Sequence, residues 1–294
     1  MVAARPKSPL MTSLLPLLLA GPACCAAACF SPTPSAGDRS ASQPAAKPVR
    51  TKPPPTAQLV AENFVASLFE FEHARAAQFE RLGSVPYWND PRIHNFGNTG
   101  LRGFLHALVV PLATHAIDRF AYGGTDARRL LHESEFPADA TVVDFCSGVG
   151  FSSARNGKVT CVDTSEEMLS IAKVRRPDVQ RFARGNAEKW GFTDSFDIAT
   201  VMFGMHEMPG YARRRVIRNA LRVARDKAMV VDIWPGFEPN AMMLSGEPYL
   251  LDYLANIDDD VDSAYDPTVW TCERVDVVEG HVRMWKFERL DWGI

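Results

Sequence analysis

Apolar residues in the second half of this chain come in short continuous runs that end in glycine, acidic or amide residues. Continuous runs of this length that contain β-branched residues are typical of strands buried on both faces of a parallel sheet. The pattern predicts such strands at residues 142–146, 159–163, 196–203 and 228–234. Helical stretches between them, the clearest at residues 211–224, complete an α/β pattern.

Apolar positions recur at helical spacing in the first half of the chain. They predict an amphipathic helix over residues 57–83, with Thr56 as its N-cap. A second helix is predicted near residues 99–121, and Pro111 is expected to kink it because proline lacks the backbone donor of a helix interior. The apolar positions of this second helix are Leu101, Phe104, Leu105, Leu108, Leu112, Ile117 and Phe120.

The C-terminal region predicts a helix followed by a β-hairpin. The segment 246–253 is expected to begin the helix, with Pro248 in its first turn. Two runs rich in β-branched and aromatic residues, 271–278 and 282–290, flank the turn 279–281. This arrangement predicts an antiparallel hairpin.

Two charged segments are interpreted as solvated surface. The helix predicted at 211–224 carries several arginines, which favour a solvent-exposed face over a binding patch. Asp258, Asp259, Asp260 and Asp262 are close together in sequence, but no other ligand cluster joins them. A solvated helix end is therefore expected rather than a metal site.

The turn after the first predicted strand carries candidate cofactor chemistry. Gly148 and Gly150 remove side chains where a ligand must approach the backbone, and Asp163 ends the next strand with a carboxylate suited to ribose hydroxyls. A dinucleotide site would have a third glycine and an acid about 20 residues on. Here Ser153 takes the third glycine's place and Asp163 follows Gly148 by only 15 residues. A hydride-transfer cofactor is therefore disfavoured.

Four segments of this region together resemble the class I S-adenosylmethionine (SAM) dependent methyltransferases. The block at residues 144–150, Asp-x-Cys-x-Gly-x-Gly, resembles the first motif of that family. Residues 163–169 are similar to its acidic-strand motif and the helix that follows. Residues 185–188 stand at its adenine-contact turn, and residues 196–203 resemble its fourth strand. The resemblance covers residues 138–234 and rests on the order and spacing of the four segments.

The resemblance implies a Rossmann-like sheet, mostly parallel with a C-terminal antiparallel hairpin, to which this chain adds an N-terminal helical cap. It also implies SAM as cofactor. The implied cofactor contacts are Asp144, Gly148 and Gly150 at the methionine end, Asp163 at the ribose, Asn186 and Ala187 at the adenine, and Phe203 with Gly204 at the reaction mouth. Cys146, Thr164 and Met168 are further candidate cofactor contacts.

This chain departs from the family pattern in three places. Asn186 stands where many relatives carry Asp, and Cys146 replaces a frequent glycine. The segment 151–157 is shorter by roughly one helical turn of about 3.6 residues, so only a very short helix is expected after Gly150. The Cys-x-Gly-x-Gly form also resembles methyltransferases of the quinone-biosynthesis type, but the substrate-side segments do not match those enzymes well enough to carry over a substrate.

His206 and Glu207 follow the fourth strand at the carboxyl edge of the predicted sheet, where open α/β folds bind their ligands. In related small-molecule methyltransferases this turn faces the transferred methyl group. The resemblance therefore makes both residues catalytic candidates, with His206 taking a proton from a hydroxyl, a thiol or an activated carbon. The structural alternative is that His206 caps the next helix.

The segment 87–100 is dense in aromatic, amide and glycine residues. One interpretation is a lid over cofactor and substrate, since methyl transfer benefits from the exclusion of water. The other is a connector whose Asn and Gly residues serve turn geometry while Trp88 and Phe96 anchor it. His94 alone is not assigned a catalytic role.

Composition narrows the class of partners. The chain has 294 residues and a net charge of −3, which gives no sign of nucleic-acid binding. No spacing of residues in the sequence requires a metal ion.

Cys146 and Cys161 fall on predicted apolar strands and are expected to be small buried side chains rather than disulfide partners. Nothing in the sequence indicates an oligomeric state.

The N-terminus predicts targeting and domain organisation. Residues 1–29 have the order of a cleaved signal peptide, with an apolar run too short and interrupted to span a bilayer. Residues 30–56, rich in Ser, Ala and Pro, are expected to be a disordered transit-like segment. Together they resemble the bipartite leaders of complex-plastid algae; secretion is the alternative. A helical cap over 57–135 and a SAM-dependent methyltransferase domain over 136–294 follow, without a stable membrane span.

The predicted function is SAM-dependent transfer of a methyl group to a small-molecule acceptor, with O-, N-, S- and C-methylation all open. The alternative is a non-catalytic SAM-binding module that regulates or scaffolds a plastid complex. The shortened segment after Gly150 favours the alternative, whereas Asp163 and the His206–Glu207 turn favour the enzyme.

Overall fold

The computed structural model of the protein describes residues 86–95, 97–155 and 158–290. The predicted signal peptide, the transit-like segment over 30–56 and the helix predicted over 57–83 lie outside the described residues. These three remain predictions.

The described chain folds around a sheet in which parallel strands meet an antiparallel hairpin. Its strands are β1 (Val142–Phe145), β2 (Val159–Asp163), β3 (Arg181–Arg184), β4 (Phe196–Met202), β5 (Ala224–Ile233), β6 (Trp270–Val278) and β7 (Val282–Arg289). The spatial order is β3-β2-β1-β4-β5-β7-β6. Strands β1 to β5 are parallel, and β7 runs antiparallel to both β5 and β6. The predicted α/β fold and its C-terminal hairpin are confirmed.

Helices cover the sheet and connect its strands. They are α1 (Gly100–Phe120), α2 (Ala127–Glu135), α3 (Glu166–Arg175), α4 (Gly210–Val223), α5 (Ala241–Gly246) and α6 (Leu250–Asp262), with short 3-10 helices at Tyr87–Asn89, Ile93–Asn95 and Met205–Glu207. Helix α1 continues through Pro111. The prediction that a helix begins in 246–253 is confirmed at Leu250, but Pro248 lies in the connection before α6 and not in its first turn.

Alternate residues of the central strands build two cores. Val143 and Phe145 of β1 point to one face of the sheet and pack in the cluster that includes Tyr253 of α6. Val142 points to the opposite face, where it packs with Leu131 of α2. All four residues of β1 are buried, as expected of a central parallel strand with covered faces.

The very short helix expected after Gly150 is absent from residues 151–155, which the structure describes as bends. Helix α1 covers this region instead, since its Ala107 packs against Val149 and against Met168 of α3. A helix outside the recognised motifs thus closes the side of the sheet that the shortened segment leaves open.

Helix α1 is oriented with most of its large apolar side chains outward, which the periodicity analysis did not anticipate. Its buried face carries small and polar residues, including His106, Thr114 and Asp118. The outer face exposes Leu101, Phe104, Leu105, Leu108 and Leu112. Among the described helices, α1 alone is long and apolar enough to cross a membrane by length and composition. One such helix is weak support for a membrane span, because core helices of soluble proteins pass the same test.

Two side chains assigned to solvated surface are buried. Arg213 of α4 is fully buried, and its guanidinium donates to Asp260 (2.6 Å), Asp252 (2.7 Å) and the Met208 carbonyl (2.9 Å). Asp260, one of the acids expected at a solvated helix end, is also buried and accepts a further bond from Arg214. The arginine-rich face of α4 therefore docks α6 through a buried ion pair.

Replacing Arg213 by methionine should lower the free energy of unfolding by about 3 kcal/mol, because the buried Asp260 loses one of its two arginine partners and the Met208 carbonyl loses a buried donor. The matched control is Arg218→Met, since Arg218 is exposed on the same helix and donates to one carbonyl; it should change stability by about 0.5 kcal/mol or less. Urea unfolding of both variants measures the difference. Equal midpoints for the two variants would contradict a structural role for the buried pair.

Candidate functional site

A cavity of about 310 Å³ lies at the carboxyl ends of β1, β2 and β4. Helix α1 forms one of its walls, and residues of the 87–98 segment form another. Most lining side chains are apolar, and the polar groups among them include histidines and carboxylates. Such a mixture is typical of small-molecule sites, in which a few polar groups orient an apolar ligand.

The glycine turn after β1 is tied to the end of β2 by Asp163. Its Oδ2 accepts from the Gly148 N–H and its Oδ1 from the Ser165 N–H, both at 2.8 Å. Burial raises the pKa of Asp163 to about 6, although these two hydrogen bonds lower it, so the group is a carboxylate at neutral pH. Gly148 has a φ of +51°, and a Cβ on it would meet nothing within 4 Å. Open space therefore adjoins both the glycine backbone and the acid.

Most of the predicted cofactor contacts line this cavity. They are Cys146, Gly148, Asp163, Thr164, Met168, Asn186, Ala187 and Phe203. Cys146 and Phe203 follow β1 and β4 with left-handed φ angles of 55° and 58°. Strained non-glycine backbone of this kind concentrates at binding sites. The prediction that Cys146 lies buried on a strand is wrong, because it is half-buried in the turn after β1. Cys161 is buried in β2, as predicted.

Asp144 and Gly150, two further predicted contacts, are not among the lining residues. The Asp144 carboxylate accepts from Ser153 Oγ and from Thr200 Oγ1 (2.7 Å for the latter), and burial raises its pKa to about 6. A Cβ on Gly150 would lie 3.2 Å from Arg176 Cγ. Both residues support the turn from the side away from the cavity. Their predicted direct contact with the cofactor is untested, and this placement does not favour it.

Asn186 begins the turn predicted to contact adenine. Its side-chain oxygen accepts from the Glu188 N–H at 2.8 Å, which fixes the turn through a local side-chain to backbone bond. A carbonyl oxygen has two lone pairs, so the same atom can accept a second bond from a ligand amine. Asn186 and Ala187 both line the cavity.

His206 is held by a buried acid in β5. Its Nδ1 lies 2.6 Å from Asp232 Oδ1, which leaves Nε2 as the ring nitrogen available to a ligand. Burial lowers the pKa of His206, but the charge of Asp232 and its hydrogen bond outweigh burial and raise the pKa to about 9. The alternative that His206 only caps the next helix is not what the structure shows, because its side chain bonds β5.

Glu207 is paired with His94, a residue to which the sequence assigned no role. His94 Nε2 lies 2.9 Å from Glu207 Oε1, and His94 Nδ1 lies 2.8 Å from Glu247 Oε1. Burial lowers the pKa of His94, but Glu247 and Glu207 together raise it well above its ordinary value. In return, His94 lowers the pKa of Glu207 to about 2 against the effect of burial. Glu207 is therefore a poor proton acceptor at neutral pH.

The segment 87–98 contributes directly to the cavity wall. Tyr87, Trp88, Ile93, His94 and Asn98 all line it. Tyr87 also donates its hydroxyl to Glu188 Oε1 at 3.1 Å, which joins the segment to the turn predicted to contact adenine. This placement favours a binding role over that of a plain connector. Phe96, proposed as an anchor, lies outside the described residues.

Sequence reasoning missed Asp232, His94, His106 and Glu247. Asp232 had a usable signal, since an acid near the carboxyl end of an apolar strand repeats the pattern of Asp163. The other three come from α1 and from two connections, whose spatial convergence no sequence spacing encodes. Within the described ranges no group of three or more His, Cys, Asp or Glu side chains is arranged to hold a metal ion.

Comparison with known proteins identifies the central region. Residues 142–227 match a family model described as a methyltransferase domain. Over this range the chain is similar to a methyltransferase domain. The matched range begins at β1 and ends within β5, so it includes the glycine turn, Asp163, the 185–188 turn and the His206–Glu207 pair.

Curated relatives are about one third identical to this chain in the aligned region, which covers only part of their length. A demethylmenaquinone methyltransferase of Oceanobacillus iheyensis is 34% identical over 108 residues, which cover 33% of this chain and 44% of the relative. The enzyme of the same name from Thermotoga maritima is 35% identical over 115 residues, which cover 37% and 48%. The match thus spans less than half the length of either relative.

Solved structures include a TehB-like SAM-dependent methyltransferase from Corynebacterium glutamicum. It is 14% identical, and the alignment covers 63% of this chain and 99% of that one with a TM-score of 0.45. The fold assignment here rests on the strand order and register of the sheet described above.

Replacing Asp163 by asparagine should weaken SAM binding about tenfold, because the amide loses the charge and one of two acceptor positions that fix the Gly148 turn. Isothermal titration calorimetry with SAM measures the change. Glu166→Gln is the matched control, since Glu166 lies three residues away with its side chain 74% exposed; its dissociation constant should stay within about twofold of the wild type. If Asp163→Asn binds SAM as tightly as the control, Asp163 and the Gly148 turn do not contribute to SAM binding.

Proposed function

We propose that this protein methylates a ring carbon of a small hydroxylated aromatic acceptor, of the quinol type, with SAM as methyl donor. The observation that carries the proposal is the His206–Asp232 pair on the wall of the cavity. The names of the curated relatives, which are demethylmenaquinone methyltransferases, support the choice of acceptor class.

The described residues fit the cofactor. The open space beside Gly148, the Asp163 carboxylate and the Asn186–Ala187 turn all border one cavity. Asp163 would accept hydrogen bonds from ribose hydroxyls, and Asn186 would accept one from the adenine amine. When bound, SAM supplies an electrophilic methyl group, so the protein must align the acceptor and raise its nucleophilicity.

His206 raises that nucleophilicity by taking the acceptor's hydroxyl proton at Nε2. Asp232 holds Nδ1, so it fixes the ring orientation and stabilises the imidazolium that forms, in the manner of the acid in a catalytic triad. A base with a pKa of about 9 is closer to a phenolic hydroxyl, about 10, than an ordinary histidine. The smaller difference makes proton transfer less unfavourable.

Loss of the hydroxyl proton places negative charge on the oxygen and, by conjugation, on the neighbouring ring carbon. That carbon would form its new bond to the methyl carbon as the methyl–sulfur bond of the donor breaks, with S-adenosylhomocysteine as the leaving group. The ring carbon then releases its own proton to solvent, which restores the aromatic ring as a phenolate, and the His206 imidazolium returns the hydroxyl proton. The acceptor must therefore be in its reduced, hydroxylated form, because a quinone lacks the hydroxyl that His206 deprotonates. The apolar side chains around the cavity keep water from competing for the donor.

The rate should rise with pH up to about pH 9, because His206 accepts a proton only in its neutral form. The measurement is kcat/KM against pH with a reduced naphthohydroquinone as acceptor. Asp232→Asn should shift this rise toward the ordinary histidine pKa of about 6.5, since the charge that raises the His206 pKa is removed. It should also lower kcat.

His206→Ala separates catalysis from binding. It should lower kcat by about 10²- to 10⁴-fold, the usual contribution of a general base, while SAM affinity stays within about twofold. Equal losses of kcat and SAM affinity would count against a base role. If kcat/KM of Asp232→Asn rises over the same pH range as that of the wild type, the rise reflects ionisation of the acceptor and not of His206. SAM binding without transfer to any acceptor in cell extract would favour the non-catalytic alternative.

Plastid location is part of the proposal. The order of a signal-peptide-like segment and a basic, acid-poor tract before residue 57 supports it. A fusion of the full chain to a fluorescent protein should accumulate in the plastids of a complex-plastid alga. A uniformly extracellular signal would instead support secretion.

A further inference from the structure

We propose that Glu247 and His106 form an acceptor subsite that binds a second hydroxyl group of the substrate, away from the hydroxyl that His206 deprotonates. The inference deepens the proposed function and rests on it. It names the residues that would recognise the second hydroxyl of a quinol-type acceptor and so favour a diol over a simple phenol.

Two polar atoms in this part of the cavity lack protein partners. Glu247 Oε2 and His106 Nδ1 are both buried without a hydrogen bond, in side chains that line the cavity and belong to residues about 4% exposed. Buried polar atoms of a folded protein are nearly always paired. Two such atoms, in side chains that line one cavity, point to a ligand group that pairs them.

His94 lies between these two side chains and positions them. Its Nδ1 holds Glu247 Oε1 at 2.8 Å, so the second carboxyl oxygen is fixed but unused. Its ring centroid lies 4.5 Å from that of His106. The backbone of His94 is left-handed, with φ 52° and ψ 21°, a conformation that costs energy in a non-glycine residue and that persists where the surroundings require it.

A hydroxyl satisfies the hydrogen-bonding needs of this pair. Burial, followed by the charge of His94, lowers the pKa of His106 to about 3, so its ring is neutral and each nitrogen either donates or accepts. A hydroxyl donates to Glu247 Oε2 and uses its remaining capacity for His106 Nδ1. An ether oxygen has no hydrogen to donate and leaves Glu247 Oε2 unpaired, which is costly in a buried site.

None of these side chains belongs to the matched methyltransferase domain. His94 and His106 precede residue 142, and Glu247 follows residue 227. The domain supplies the cofactor site and His206, while segments outside it supply the second acceptor contact. Selection of the substrate is thus assigned to the parts of the chain that the domain model does not cover.

The test compares the binding of 1,4-naphthalenediol with that of its mono-ether, 4-methoxy-1-naphthol, to the full chain saturated with S-adenosylhomocysteine under reducing conditions. Calorimetry should show the diol binding about tenfold more tightly than the ether, the usual size of one buried hydrogen bond. Glu247→Gln keeps an oxygen for His94 and replaces the unpaired acceptor by an amide donor. It should therefore abolish or reverse the preference for the diol.

Two controls isolate the subsite. His106→Phe keeps a ring against His94 but deletes Nδ1, so it should weaken the diol about tenfold and the ether less. Glu238→Gln changes an exposed acid that does not line the cavity and should leave the preference for the diol in place. Affinity for S-adenosylhomocysteine should stay within about twofold in every variant, which shows that each is folded.

Equal affinities of the wild type for diol and ether, an unchanged preference in Glu247→Gln, or no binding of either compound would overturn the subsite. Because these measurements read acceptor binding and not turnover, they are separate from the test of the proposed function. Methyl transfer to the diol by a protein that binds diol and ether equally tightly would leave the function standing while it removed the subsite.

Discussion

The buried carboxylate of Asp232 fixes the edge of the sheet on which the site is built. It is fully buried and accepts from the backbone N–H groups of Met205 (2.7 Å), His206 (3.2 Å) and Ile233 (2.7 Å) as well as from His206 Nδ1. Four donors offset the cost of burying the charge. The same bonds fix the 3-10 turn after β4, so the position and the basicity of His206 have one cause.

Sequence patterns predicted the sheet well, because a parallel strand buried on both faces leaves a continuous apolar run. They locate α1 as a helix, but its apolar periodicity does not mark its buried face. Leu101 and Leu112 point outward, and the face that meets the domain carries Ala107 and polar cavity residues such as His106 and Thr114. A helix that lines a ligand cavity is selected for small and polar groups on its inner side, so hydrophobicity alone assigns its faces incorrectly.

The segment after Gly150 lacks the helix that usually follows this turn in the methyltransferases that the sequence resembles. Its missing helix is compensated by α1, whose Ala107 packs on Val149 and Met168 beside the glycine turn, while Asp163 holds the Gly148 N–H. The cofactor turn is thus supported from two directions that do not require the usual helix. Motif comparison along the chain cannot detect this, because α1 ends at Phe120, the motif begins at Asp144, and the two meet only in space.

The two catalytic candidates at residues 206 and 207 have different tasks because their partners differ. Asp232 makes His206 more basic, whereas His94 makes Glu207 more acidic, with a pKa of about 2. A carboxylate this acidic and bound to His94 neither takes nor gives a proton near neutral pH. It serves instead to hold His94 against Glu247. The two adjacent residues therefore have separate roles, since His206 transfers the proton and Glu207 positions the residues that contact the acceptor. The sequence places both at the right edge of the sheet, but only their partners, distant in the chain, decide which one reacts.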